Sequence, residues 1–179
     1  NTSWDFAQFE VSMHKWADLS DNSFGFAVIN DCKYGVDVKD GHIRPTLLRS
    51  PVGHHPTQDK ERHEFTFSLY PHGGRACESA LSDEGYNVNF PLYVQSADKN
   101  TGSMESAYSF IGASAPNIVV ETVKVAEDSD DIIVRAYETW NKRTPCTLKV
   151  GKTVAAVSEC DLMEENDVPA VHEGDNILT

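Results

Sequence analysis

Four of the seven histidines, His54, His55, His63 and His72, fall within one 19-residue stretch, and a neutral imidazole is a good zinc ligand. Two ligands fixed on one local scaffold need a spacing such as H-E-x-x-H or H-x-D, and none of these four has it. On an extended chain His54 and His55 point to opposite faces, and Cys77 is the one thiol nearby. A carboxyl pair held about 5 to 9.5 Å apart could do acid–base work. Asp128, Asp130 and Asp131 are the densest candidates, yet they fall in a turn, where Asp is favoured for its hydrogen bonds to nearby backbone. The chain has neither a G-x-S-x-G nucleophile elbow nor a glycine-rich phosphate loop. The residues by themselves therefore read as an acidic β domain without an active site of its own.

The elements that would position such groups follow from period-2 alternation. In residues 64–70, Phe65, Phe67 and Leu69 share one face, while Glu64, Thr66, Ser68 and Tyr70 share the other. Similar runs predict strands at residues 24–29, 36–39, 118–125, 132–137, 147–150 and 154–157. Asp40-Gly41 supplies the positive φ values of a tight hairpin turn, and residues 128–131 form a second hairpin turn. Pro45 cannot donate to a ladder, so its strand is expected at an edge. Loops are expected around Gly73-Gly74 and over residues 95–102, with one short helix within residues 77–85. Many short strands separated by turns make an all-β, antiparallel β-sandwich or a barrel the expected fold. The expected domain spans residues 1–165, and 166–179 form an acidic, mobile tail. Residues 159–175 carry seven acids and no Lys or Arg.

At 179 residues the chain can bury a real core without staples. Its 28 acidic against 15 basic side chains give a net charge of -13, which repels nucleic-acid phosphates and anionic membranes. Cys32, Cys77, Cys146 and Cys160 are widely spaced and read as free thiols of a reducing compartment. Asn1-Thr2-Ser3 forms a sequon at the first residue, a weak secretory signal. A start at Asn1 without Met suggests a piece of something longer.

A series of short motifs adds a family resemblance. It comprises residues 14–20 (HKWADLS), 30–35 (NDCKYG), 47–51 (LLRSP), 63–66 (HEFT), 69–72 (LYPH), 121–124 (ETVK), 126–128 (AED) and 134–138 (VRAYE). In this order and spacing, across about residues 9–165, the chain resembles the C-terminal β region of glycoside hydrolase family 38 α-mannosidases of the cytosolic and vacuolar type. It departs from that pattern at His54-His55-Pro56 and at Glu61, where glycine is expected, and Pro45 interrupts a strand that is usually continuous. The family's closing strand after the acidic tail is expected to be missing, which would leave an uncapped edge.

The resemblance implies an accessory domain of a retaining enzyme that removes terminal α-linked mannose from oligosaccharides. The chemistry would lie in a catalytic domain upstream, where zinc or another divalent metal helps hold the substrate. The fragment itself is expected to be inactive and free of metal, since no His-x-Asp occurs in the chain. A homo-oligomer of the parent and a cytoplasmic location are further implications, with a vacuolar or lysosomal one as the alternative. Asn30, Asp31, Lys33, Tyr34 and Arg49 are the candidate rim or interdomain contact. A structural role as strand-end charges and a surface ion pair is equally open for them. A different class, a free-standing carbohydrate-binding module, would use Trp4, Trp16, Tyr137 and Trp140 as a stacking platform.

Overall fold

A computed structural model of the chain describes residues 2–99 and 101–179. Asn1, the sequon acceptor, and Asn100, inside the expected loop at 95–102, lie outside the described residues. The chain parts into two compact units between Ser96 and Ala97.

The first unit runs α1 (Ser3–Ala7), β1 (Val11–Ser12), β2 (Trp16–Ser20), β3 (Phe24–Asn30), β4 (Gly35–Lys39), β5 (His42–Pro45), β6 (Phe67–Gly73) and α2 (Leu81–Asn89). Its strands form two antiparallel sheets, ordered β1-β4-β5 and β2-β3-β6. Alternation along β3 decides what packs where. Ala27 and Ile29 lose their solvent exposure against Leu81 of α2, and Trp16, Tyr70, Ala76 and Val88 surround them. Burying an aliphatic side chain of this size stabilises by about 1.5–3 kcal/mol. Gly85 allows the close approach, because a Cβ there would stand 2.6 Å from the Trp16 ring. Pro91 follows the end of α2 and disfavours helical geometry in the residue before it.

The opposite face of β2-β3-β6 is apolar as well, since cross-strand rows join Leu19, Phe26 and Pro71, and Ala17, Val28 and Leu69. Phe24 is 56% and Leu69 67% exposed. A groove of about 550 Å³ opens between this face and Ile43 and Pro45.

The second unit holds β7 (Ile111–Ala113), β8 (Ile118–Val125), β9 (Ile132–Glu138), β10 (Thr147–Val150), β11 (Ser158–Glu159), β12 (Val168–Pro169), β13 (Val171–Glu173) and β14 (Asn176–Leu178). A four-stranded antiparallel sheet is ordered β13-β14-β10-β7, while β8-β9 and β11-β12 are separate pairs.

The Asp40-Gly41 turn has both φ values positive, at 52° and 73°, and β5 with Pro45 lies at a sheet edge. The strand expected at 64–70 begins only at Phe67, because the Thr66 N–H is taken by the Asp31 carboxylate at 3.0 Å. No strand forms at 154–157; the Val154 N–H donates to Asp175 Oδ1 instead. The short helix lies at 81–89 with a 3-10 turn at 76–78, so it is shifted from its expected place. Residues expected as a mobile acidic tail fold into β12, β13 and β14. Gly174, at φ 60°, turns β13 back into β14, and Leu148 of β10 faces Ile177 across the ladder. The chain thus has a closing strand pair where none was expected.

Candidate functional site

The turn joining β3 to β4 carries three of the five candidate residues, Asp31, Lys33 and Tyr34, and a fourth, Asn30 at the end of β3, holds it from beneath. Asn30 is fully buried. Its N–H donates to the Lys15 carbonyl at 2.9 Å, its Nδ2 to the Lys33 carbonyl at 3.3 Å, and its own carbonyl accepts from Asn89 Nδ2 at 2.9 Å. Lys15 and Lys33 both sit in the left-handed region, at φ 73° and 66°, a conformation that costs a non-glycine residue about 1–2 kcal/mol. Hydrogen bonds to their carbonyls help hold them there.

From that base the other side chains reach across to the segment before β6. Both Asp31 carboxylate oxygens lie 3.0 Å from the Thr66 nitrogen. The Thr66 N–H holds the Asp31 carboxyl below its ordinary range. The hydrogen bond with Asp31 pushes the neighbouring Cys32 thiol up. Lys33 Nζ stands 3.2 Å from His63 Nδ1 and 5.5 Å from the Phe65 ring centroid, while His63 Nε2 is 3.0 Å from the Asp59 carbonyl. Tyr34 is half exposed and stacks on His14, with centroids 5.0 Å apart and an 18° interplanar angle.

Arg49 is not bonded to these four. Its Nη2 donates to Glu10 Oε2 at 2.8 Å, and the Thr46 hydroxyl donates to Glu10 Oε1. Glu10 lies against Gly35, where a Cβ would strike its carboxylate, so the pair abuts the residue after Tyr34. The arrangement offers an exposed aromatic ring and charges of both signs, and none of these contacts pairs a nucleophile with a base.

The other candidates are scattered. His72, nearly buried, bonds Asp18 Oδ1 through Nε2 at 2.8 Å, and Gly25 is required beneath its ring. His55 Nδ1 contacts the Thr57 hydroxyl. Among the described residues no three His, Cys, Asp or Glu side chains gather to hold a metal. Asp131 trades hydrogen bonds with Ser129 inside the β8–β9 turn. Trp16 packs into the core of the first unit, and Trp4 is 83% exposed on α1. Glu10, Lys15, Thr66 and Asn89 were not among the candidates, for contacts distant along the chain tie Lys15, Thr66 and Asn89 to Asn30 and Asp31 and Glu10 to Arg49.

Two family descriptions match the chain: "Glycosyl hydrolases family 38 C-terminal domain" over residues 1–57 and "Glycosyl hydrolases family 38 C-terminal beta sandwich domain" over residues 117–177. Alpha-mannosidase 2C1 of Homo sapiens is 40% identical over 175 residues, covering 96% of this chain and 16% of the relative. Alpha-mannosidase G of Dictyostelium discoideum is 38% identical over 174 residues, covering 97% and 16%. The chain thus spans about one-sixth of the length of the curated relatives it matches. Among solved structures, an Enterococcus faecalis glycosyl hydrolase family 38 protein aligns with a TM-score of 0.75 at 17% identity, covering 94% of this chain and 22% of its own. An alpha-mannosidase from Enterococcus faecalis V583 aligns with a TM-score of 0.71 at 19% identity, covering 84% and 18%. These two share the fold. From its strands and these matches, the chain belongs to the C-terminal β region of glycosyl hydrolase family 38.

Proposed function

We propose that the chain is an accessory β domain of a retaining α-mannosidase that releases terminal α-linked mannose from oligosaccharides. What carries this reading is the 40% identity along 96% of the chain to a protein named alpha-mannosidase, of which it spans 16%. The apolar outer face of β2-β3-β6 and the exposed Phe90, Leu92, Tyr93 and Val94 support it, because a protein complete in itself seldom leaves so large an apolar surface open. In this reading the carboxyl pair that forms and hydrolyses the mannosyl-enzyme lies upstream, with zinc or another divalent metal beside it. The parent is a cytoplasmic homo-oligomer. The turn bearing Asp31, Lys33 and Tyr34, set by buried Asn30, meets the catalytic domain or the rim of its pocket, as does Arg49.

The first experiment is an immunoblot of the source with an antibody to this chain. A band several times heavier than 19.8 kDa is expected; a band near that mass overturns the reading. Turnover of an aryl α-mannoside by the 179-residue chain alone, lost on chelation, would overturn it too. Arg49→Ala and Tyr34→Ala in the full polypeptide test the contact. Lower activity or a lower melting temperature is expected, and no change in either removes the contact role.

A further inference from the structure

The Lys33–His63 contact ties two segments outside the strand ladders, the turn at 31–34 and the loop at 46–66. An ammonium can only donate and a carbonyl can only accept. Lys33 Nζ at 3.2 Å therefore requires a lone pair on His63 Nδ1, and the Asp59 carbonyl at 3.0 Å requires the proton on Nε2. Both partners select the same neutral tautomer.

We propose that this contact is a pH-sensitive clasp, closed while His63 is neutral and opened when Nδ1 takes up a proton. Protonation turns the acceptor into a second donor and sets two positive charges face to face. The bond to the Asp59 carbonyl survives, so what parts is the turn from the loop.

Among the described residues, the nearby carboxylates are already engaged or line an open groove. On the turn, the Asp31 carboxylate is engaged by the Thr66 N–H, and Cys32 Sγ faces the Glu64 carbonyl at 3.8 Å. On the loop, the Glu64 carboxylate is paired with Arg62. His55, Asp59 and Glu61 line the open polar groove beside His63, where water screens their charge. The open form holds one more proton than the closed form. The clasp therefore closes as pH rises through the imidazole range of about pH 5 to 8 and opens as pH falls through it. Asp31 stays ionised over that range and keeps Thr66 pinned, so loosening is confined to the loop ahead of residue 64. The clasp is a property of the first unit alone and stands whether or not the turn meets another domain.

Amide hydrogen exchange of the 179-residue chain at about pH 7.5 and about pH 5.5, normalised at each pH to an unstructured peptide, tests it. The probes are the Gln58 and Lys60 amides, bonded to the His55 and Thr57 carbonyls at 3.1 and 3.2 Å. Acidification should cost them about tenfold in protection and leave β6 unchanged. His63→Gln, which accepts but takes up no proton, and Lys33→Met, which removes the facing cation, should each flatten that response. Equal protection at both pH values in the unaltered chain overturns the clasp. So does a pH response that persists in either folded variant, and if one variant fails to fold, the other decides.

Discussion

The two units keep their strands in place by different means. In the first, Ala27, Ile29 and Leu81 meet between a sheet and a helix, and the buried positions are mainly apolar. In the second, Cys146 and Leu148 are the buried apolar side chains among the described residues, and a fully buried amide, Asn117, sits at the hub. Its Nδ2 donates to Glu138 Oε1 at 2.6 Å and to Thr144 Oγ1 at 2.7 Å, and its carbonyl accepts the Thr139 N–H at 2.9 Å. Glu138 also accepts the Trp140 and Lys142 N–H groups. Further out, Glu164 accepts from Lys124 and from the Glu127 N–H, pinning the loop at 161–166 to β8 and its turn. Packing is sensitive to side-chain volume, whereas a polar hub is sensitive also to the charge state and partners of its members.

The comparison breaks first at Ile29. Truncation to alanine should cost about 2–5 kcal/mol in urea unfolding, with exchange protection lost in β2, β3 and β6 and kept in β10 and β14. Equal loss in both units would show that they unfold as one. Next in size, Asn117→Ala should cost about 1–3 kcal/mol, since the Glu138 carboxylate loses a buried donor, and the loss should stay in the second unit.

Acid sharpens the contrast further. Burial pushes the Glu138 carboxyl up, but the Asn117 amide and the N–H groups of Lys142, Trp140 and Asn141 outweigh it and leave the group below its ordinary range. Lys124 and the Glu127 N–H hold Glu164 below its range too. A depressed carboxyl contributes stability that is complete above the ordinary carboxylate range and is lost as pH falls through the lowered value. The segments 138–142 and 161–166 should therefore lose exchange protection in acid before β3 does. If β3 loosens first, the polar hub is not what holds the second unit. The smallest effect belongs to Arg49→Ala in the isolated chain, under about 1 kcal/mol by thermal melting, because the guanidinium it removes is largely solvated.

Legibility followed sequence distance. The Asp40-Gly41 hairpin and the β8–β9 hairpin were readable because turn and alternation lie within one short window. Strand β2 went unpredicted because Trp16, Asp18 and Ser20 share a face that looks mixed until His72, far along the chain, bonds Asp18. The acidic tail misled for a related reason. Its charges suggested solvation, yet the backbone of β14 needs only β10 and β13 as partners, and exposed acids on a ladder cost little. At the candidate site the resemblance brought out the turn residues. The supports from Lys15, His63, Thr66 and Asn89 required the tertiary structure.

Strands β3 and β6 are neighbours in the sheet although residues 31–66 intervene. Loop closure grows only logarithmically with length, by about 0.6 kcal/mol per doubling. Beyond the hairpin nested inside it, this connection can therefore lengthen or shorten over evolutionary time at almost no thermodynamic cost. The departures from the family pattern at His54-His55-Pro56 and Glu61 fall within it. Beside the turn at 31–34, novelty in length is thus nearly neutral for the fold.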